Sequence, residues 1–315
     1  MGKIAFIFPG QGSQTAGMGK TLAEADKSVM AIFDKADEKL NLPLSKLIFE
    51  GPQEELTLTT NAQPALLTTS IAILEFFKQS GIQADYVAGH SLGEYTALVA
   101  AGAFSFEDGV YAVRKRGELM EAAVPNGEGT MAAVLGLDRD KLKAVTDEVT
   151  SEGSSVQLAN LNCPGQIVIS GSKKGIELAS VRAKEAGAKR VLPLVVSGPF
   201  HSELMKPAAE KFTEVLNEIT VKDAGIPVIA NVSANEMSSS NEIKERLIEQ
   251  LYSPVLWEDS VQRMISLGVD TFIEIGPGKV LSGLVKKIDR TVKIYAVSDK
   301  ETCLEVIESL KEEIQ

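Results

Sequence analysis

Tyr86-Val87-Ala88-Gly89-His90-Ser91-Leu92-Gly93, residues 86–93, runs from a short apolar segment through a glycine-flanked serine into a helical pattern. The two glycines permit a tight corner, so the chain can leave a strand, expose Ser91 and start a helix near Leu92. A strand that feeds straight into a helix is a half-unit of an α/β sheet, and the alternation continues in both directions. Strand candidates at 4–8, 85–89, 226–230, 271–275 and 292–297 are separated by helical patterns at 61–79, 92–101, 107–123, 203–219, 241–251, 257–267 and 300–313. This order predicts an α/β fold with a mainly parallel sheet flanked by helices on both faces.

The texture changes between residues 128 and 195, after the glycine-punctuated Asn126-Gly127-Glu128-Gly129. Strand 131–135, helix 138–150, a hairpin of 156–160 and 166–170 around Cys163-Pro164-Gly165, helix 174–186 and strand 190–196 give the order β-α-β-β-α-β. That is the ferredoxin-like pattern. The expected organisation is a large α/β domain from 1–127 and 196–315, with 128–195 inserted as a small subdomain and a substrate cleft between them.

Composition supports an ordinary soluble chain. The 315 residues are 44% apolar and 24% charged, near globular averages, which excludes collagenous, disulfide-scaffold and wholly disordered classes. A formal charge of −11 disfavours nucleic acid and anionic membranes as partners. Cys163 and Cys303 form no metal-spacing or redox motif and point to a reducing cytoplasm. No apolar run reaches the roughly 18 residues that span a bilayer. The opening Met1 to Phe8 is cut short by Pro9-Gly10, so it reads as a first buried strand and not as a signal segment.

Gly89-His90-Ser91-Leu92-Gly93 matches the nucleophile-elbow pattern, and its helix start offers amide groups to a developing oxyanion. A serine hydroxyl needs a neighbour to take its proton, and the chain has two histidines. Alternation along the strand turns His90 away from the side on which Ser91 projects, leaving His201, in Ser197-Gly198-Pro199-Phe200-His201-Ser202, as the base. Phe8-Pro9-Gly10-Gln11-Gly12-Ser13-Gln14 could supply further amide groups beside Ser91, and it matches neither a dinucleotide loop nor a Walker A loop. Arg114, Lys115 and Arg116 share the next helix, and composition singles out none of them.

Taken in order, FPGQGSQ at 8–14, GHSLGEY at 89–95, NLNCPGQ at 160–166, GPFHS at 198–202, QLYSP at 250–254 and EIGPGKVL at 274–281 resemble the malonyl-CoA:acyl carrier protein transacylases of type II fatty acid synthesis. The resemblance runs from the first strand to about residue 300 and implies an α/β-hydrolase-like core carrying the ferredoxin-like insert. It implies that Ser91 accepts the acyl group, His201 is its base, and the backbone amides of Gln11 and Leu92 form the oxyanion hole. Gln250 would steady the histidine through its carbonyl, and Arg116 would hold the malonyl carboxylate in a two-pronged grip. His90, Asn160 and Asn162 would support the elbow and line the cleft, while the bulk of Phe200 would favour malonyl over branched extenders.

The same resemblance implies a malonyl-CoA thioester and a phosphopantetheinylated acyl carrier protein as substrates, with no metal and no other cofactor. A docked acidic carrier needs basic residues, for which Lys189, Arg190, Lys286, Lys287 and Arg290 are candidates. The assembly state is open, a monomer being one option. The rival expectation is a serine esterase or thioesterase of the α/β-hydrolase type, which shares the elbow but normally places an acidic third member before a late histidine.

Overall fold

The computed structural model describes residues 2–125 and 127–314, so Met1, Asn126 and Gln315 lie outside the described residues. β1 (Lys3–Phe8) is followed by α1 (Lys20–Ala25), α2 (Lys27–Leu40), α3 (Leu44–Glu50), α4 (Gln53–Thr57) and α5 (Thr59–Phe77). β2 (Tyr86–Gly89) leads into α6 (Leu92–Ala100) and α7 (Phe106–Ala122). Next come β3 (Gly129–Leu135), α8 (Arg139–Ser151), β4 (Val156–Cys163), β5 (Gln166–Ser172), α9 (Lys173–Glu185) and β6 (Arg190–Pro193). The chain then forms α10 (Lys206–Glu218), β7 (Val228–Ile229), β8 (Glu236–Met237) and α11 (Ser240–Gln250). It finishes with α12 (Trp257–Ser266), β9 (Val269–Ile275), α13 (Val280–Ile288), β10 (Lys293–Val297) and α14 (Lys300–Ile314).

The larger sheet has the order β10-β9-β1-β2-β7-β8 and is parallel except where β8 turns back along β7. Its central strands are apolar on both faces because helices cover both: Ile4 to Phe8 are all buried, as are Val87 and Ala88. β1 and β2 pair with Phe8 opposite Gly89, so the loops that follow them leave the same edge side by side. The carboxyl ends of central parallel strands are where such sheets place ligands. This register alone brings Gln11 towards Ser91.

α5 is buried along nearly its whole length beneath this sheet, although Pro64 interrupts its hydrogen bonding. Lacking an N–H, Pro64 leaves the Thr60 carbonyl unpaired within the helix, and Arg114 Nη1 takes that carbonyl at 2.9 Å. Arg114 is thereby committed to holding the fold.

The second sheet has the order β4-β5-β3-β6 and is antiparallel throughout, with α8 and α9 packed on it through Leu142, Val149, Ile176 and Ala179. This is the ferredoxin-like arrangement. The last strand is shorter than the sequence suggests. Pro193 has no N–H to extend the ladder, Leu194 makes one more bond to the Met131 carbonyl at 3.0 Å, and residues 194–196 then run along the cleft.

Candidate active site

At the end of β2 the backbone turns so sharply that Ser91 takes φ 52° and ψ −107°, a conformation side chains seldom adopt. Two glycines make the turn possible. A Cβ on Gly89 would lie 1.9 Å from the Gly93 carbonyl, and one on Gly93 would lie 2.1 Å from the Phe8 oxygen. The strained corner is tied down by buried Asn231, whose Nδ2 donates to the Gly89 carbonyl at 2.7 Å and whose Oδ1 accepts from the Ser91 N–H at 2.8 Å.

His201 sits in the turn before α10, with φ 58°, and its Nε2 lies 2.7 Å from Ser91 Oγ. The other ring nitrogen, Nδ1, is 2.9 Å from the main-chain oxygen of Gln250. A carbonyl can only accept, so Nδ1 carries the proton and Nε2 is the bare nitrogen facing the serine hydroxyl. Burial and, after it, the positive charge of Arg116 lower the His201 pKa to about 3, which keeps the ring neutral. The orienting group is a carbonyl and not the carboxylate expected of an esterase triad.

Arg116 comes from α7 and is 1% exposed. Its Nη1 donates to Gln63 Oε1 at 2.8 Å, while Nη2 donates to Gln250 Oε1 at 2.9 Å and to Ser91 Oγ at 3.1 Å. The guanidinium lies 5.3 Å from the Tyr95 ring centre, and its Nε has no hydrogen-bond partner among the described residues. Burial pushes its pKa below the usual arginine range, but a guanidinium keeps its proton in a protein. A buried cation whose Nη2 lies 3.1 Å from the serine oxygen is suited to meet an anion there. Its helix neighbours Arg114 and Lys115 instead pair with Glu118 at 2.8 and 2.9 Å.

Ser91 and His201 border a cavity of about 670 Å³ whose walls also include Gln11, His90 and Asn160, while Arg116 lies behind its wall and reaches it through Ser91 Oγ. Leu92 opens α6, where first-turn amides lack acceptors within the helix. Gln11 is anchored through Nε2 to Thr59 Oγ1 at 3.1 Å, which in turn meets Ser197 Oγ at 3.0 Å. His90 reaches the cavity wall but engages Asn162 Oδ1 through Nε2 at 2.8 Å and packs 5.8 Å from the Trp257 ring, clear of the serine proton. Its pKa is lowered by burial.

Phe200 is buried in the main core and is not among the residues lining this cavity. The exposed Lys286 and Arg290 border a separate groove with Lys279, and Lys287 donates to Gln166 Oε1 at 3.0 Å across to the second sheet. The described residues contain no group of histidine, cysteine or acidic side chains arranged to hold a metal, and no helix long and apolar enough to cross a membrane.

Gln63, Glu94 and Asn231 are part of this constellation and escaped the sequence reading. Glu94 left a trace, as an acid within the otherwise apolar start of α6. Gln63 and Asn231 left none, because an amide in a helix or loop is ordinary until its neighbours are known.

The acyl transferase domain family matches residues 5–312. A malonyl CoA-acyl carrier protein transacylase from Bacillus subtilis is 68% identical over 313 residues, 99% of each chain. An acyl carrier protein S-malonyltransferase from Vibrio cholerae is 46% identical, with TM-score 0.94 over 96% of this chain and 99% of that one. A malonyl-transacylase solved in complex with its type II PKS acyl-carrier protein is 43% identical, with TM-score 0.94 over 98% and 99%. With a strained serine on an imidazole, a buried guanidinium beside them and likeness along its whole length, the chain belongs to the acyl transferase domain family, and within it to the malonyl CoA-acyl carrier protein transacylases.

Proposed function

We propose that the protein transfers the malonyl group of malonyl-CoA to the phosphopantetheine thiol of acyl carrier protein through a malonyl ester on Ser91. The observation that carries this reading is the convergence of His201 Nε2, at 2.7 Å, and Arg116 Nη2, at 3.1 Å, on one serine oxygen. The first makes the oxygen a nucleophile. The second fixes what the nucleophile receives.

Malonyl-CoA enters with its free carboxylate drawn to Arg116, which turns its unused donors and the Nη2 group from Ser91 to the anion. His201 takes the Ser91 proton as the oxygen attacks the thioester carbonyl. The tetrahedral oxyanion is met by the N–H groups of Gln11 and Leu92, the latter at the positive end of α6. The C–S bond breaks and His201 returns the proton to the departing coenzyme A thiol. The carrier thiol then runs the same steps in reverse, giving ping-pong kinetics. Each step uses groups of the chain itself, with no metal or redox cofactor.

An acetyl group would leave Arg116 without the anion that a malonyl carboxylate supplies, a penalty with a ceiling of about 3–5 kcal/mol for a fully desolvated charge with no other counter-charge, and smaller with Glu94 nearby. Asn160, Asn162 and His90 support the cleft wall, and Phe200 stiffens the turn that presents His201. Residues 128–195 act as a small lobe closing one side of the cleft against the catalytic domain of 1–127 and 196–315. The carrier docks on Lys189, Arg190, Lys286, Lys287 and Arg290. We place the protein in the cytoplasm, a reading supported by two buried free cysteines in a reducing compartment.

Mass spectrometry after brief exposure to malonyl-CoA tests this. A malonyl adduct on the peptide containing Ser91, absent from Ser91→Ala, is expected. An adduct elsewhere, or one that survives in the variant, overturns it.

A further inference from the structure

Glu94 is a carboxyl group that the reaction above does not use. It stands in the first turn of α6 and is 1% exposed. Its Oε1 accepts from the Asn231 N–H at 3.3 Å, and its Oε2 accepts from the side-chain amide of Gln250. That amide presents its oxygen to Arg116 Nη2 at 2.9 Å. Carboxyl, amide and guanidinium therefore form one polarised line in a place without solvent, with the reacting serine at its far end.

Helices α5 and α7 and strands β1, β2 and β7 pack against α6, and α11 delivers Gln250. Among the charged groups on these elements, Arg116 is the one whose charge acts on Glu94. Burial keeps the adjacent Tyr95 hydroxyl protonated and holds His90 and His201 neutral. Glu94 thus has a single electrostatic counterpart, and that counterpart is also the group on which a substrate carboxylate lands.

We propose that the ionised form of Glu94 is a counter-charge of Arg116, acting through the Gln250 amide, and that a malonyl carboxylate arriving on the guanidinium excludes that form, so that wherever Glu94 is ionised a proton from solvent moves onto it. The proposal rests on the reading of Arg116 as the malonyl-binding group. Two carboxylates drawn to one desolvated cation repel each other, and the buried one, with no water to screen it, is the one that takes the proton. Burial already raises the Glu94 pKa to about 8, ahead of any effect of its donors, and a second anion raises it further. The proton balance is closed: Glu94 carboxylate plus one solvent proton gives the acid, while acyl transfer itself exchanges the Ser91 O–H proton for a coenzyme A S–H proton. Glu94 is a positioning residue, and it sets the alkaline limit for charged acyl groups.

The test is the pH profile of kcat/KM for malonyl-CoA in the wild type and in Glu94→Gln, which keeps an acceptor oxygen and loses the charge. Above about pH 8 the wild-type value should fall about tenfold per unit, and the variant should lack that limb. The comparison concerns the shape of the profile and not its height. A limb identical in both proteins, or absent from the wild type, overturns the proposal.

Should Glu94→Gln fail to fold, the wild type alone decides. At pH 8, forming the malonyl-enzyme in a weakly buffered indicator solution should take up about half a proton, because a group titrating at about 8 is half ionised there. No uptake overturns the proposal. Serine acylation measured in the same sample separates this failure from failure of the underlying function: an acylated enzyme without uptake sinks only the role of Glu94, whereas no acylation sinks both.

Discussion

Ser91 and His201 are both held at positive φ, 52° and 58°, and their side chains meet at 2.7 Å. Two strained residues 110 positions apart in the sequence persist only where their surroundings over-determine them. Here Asn231 holds one and Gln250 the other. The geometry gives His201 a fixed tautomer, and its low pKa gives it a wide working range. A base must be neutral to act, and this ring protonates at about 3, well below the usual histidine value of 6.5. The rate of Ser91 acylation should therefore cross pH 6.5 without a histidine limb, and His201→Ala should lower kcat/KM by about 10²–10⁴. Stopped-flow acylation across the acid range checks both, and a drop centred on the ordinary histidine value would count against the dyad.

The same buried imidazole makes stability depend on pH with a definite sign. Between about 3 and 6.5 the unfolded chain binds a proton at His201 that the folded chain does not, so stability is full above 6.5 and falls as the solution becomes more acidic. From pH 6.5 to 5 the loss is about 2 kcal/mol from this residue. Urea midpoints for the wild type and His201→Gln should diverge over that interval, with the wild type losing more. Parallel curves would mean that the ring is not buried neutral.

Much of this was legible in the sequence because the signals were local. The elbow, the alternation of apolar runs with helical patterns and the β-α-β-β-α-β insert each depend on residues close together in the chain. Four short or medium helices between residues 20 and 57 went unassigned. Three of them are seven residues or shorter, below the length at which periodicity speaks, whereas α2 carried a readable signal in its Asp26 cap and buried Val29, Phe33 and Ala36. The choice of Arg116 over Arg114 depended on resemblance, because the difference is tertiary. Pro64 frees a carbonyl that captures Arg114, while Arg116, two positions on, faces Ser91. Asn231 was invisible for the same reason.

Arg116 should govern selectivity more than turnover. Arg116→Ala is expected to lower kcat/KM for malonyl-CoA by about 10²–10³, the loss of a buried charge-assisted pair, and to leave acetyl-CoA unchanged or improved. Arg116→Lys should recover part of the malonyl rate, since one ammonium cannot reproduce the planar grip. Equal losses for both thioesters would show that the guanidinium serves the serine and not the acyl group.

Asn231 does not line the cleft and holds the corner from behind Ser91, so its removal tests the cost of a loosened corner. Asn231→Ala leaves the buried Gly89 carbonyl and Ser91 N–H unpaired, at about 1–3 kcal/mol of stability each before any relaxation. Misplacing the nucleophile by a fraction of an ångström should lower kcat by about 10–10²-fold with little change in KM for malonyl-CoA, since Arg116 still binds the carboxylate. A variant that loses affinity in step with turnover would argue that Asn231 supports the cleft and not the elbow.

The proposed carrier patch is separable from the chemistry because Lys286 and Arg290 border a groove apart from the cavity around Ser91. The protein carries a formal charge of −11, so an acidic carrier is repelled at long range unless local basic residues offset that field. Lys286→Glu combined with Lys287→Glu should raise KM for acyl carrier protein several-fold, weaken its dependence on ionic strength, and leave acylation of Ser91 by malonyl-CoA at the wild-type rate. The second half of the test carries the argument: slower acylation would reveal disturbance of the fold through the Lys287 bond to Gln166, and an unchanged carrier KM across a salt series would move the docking site elsewhere.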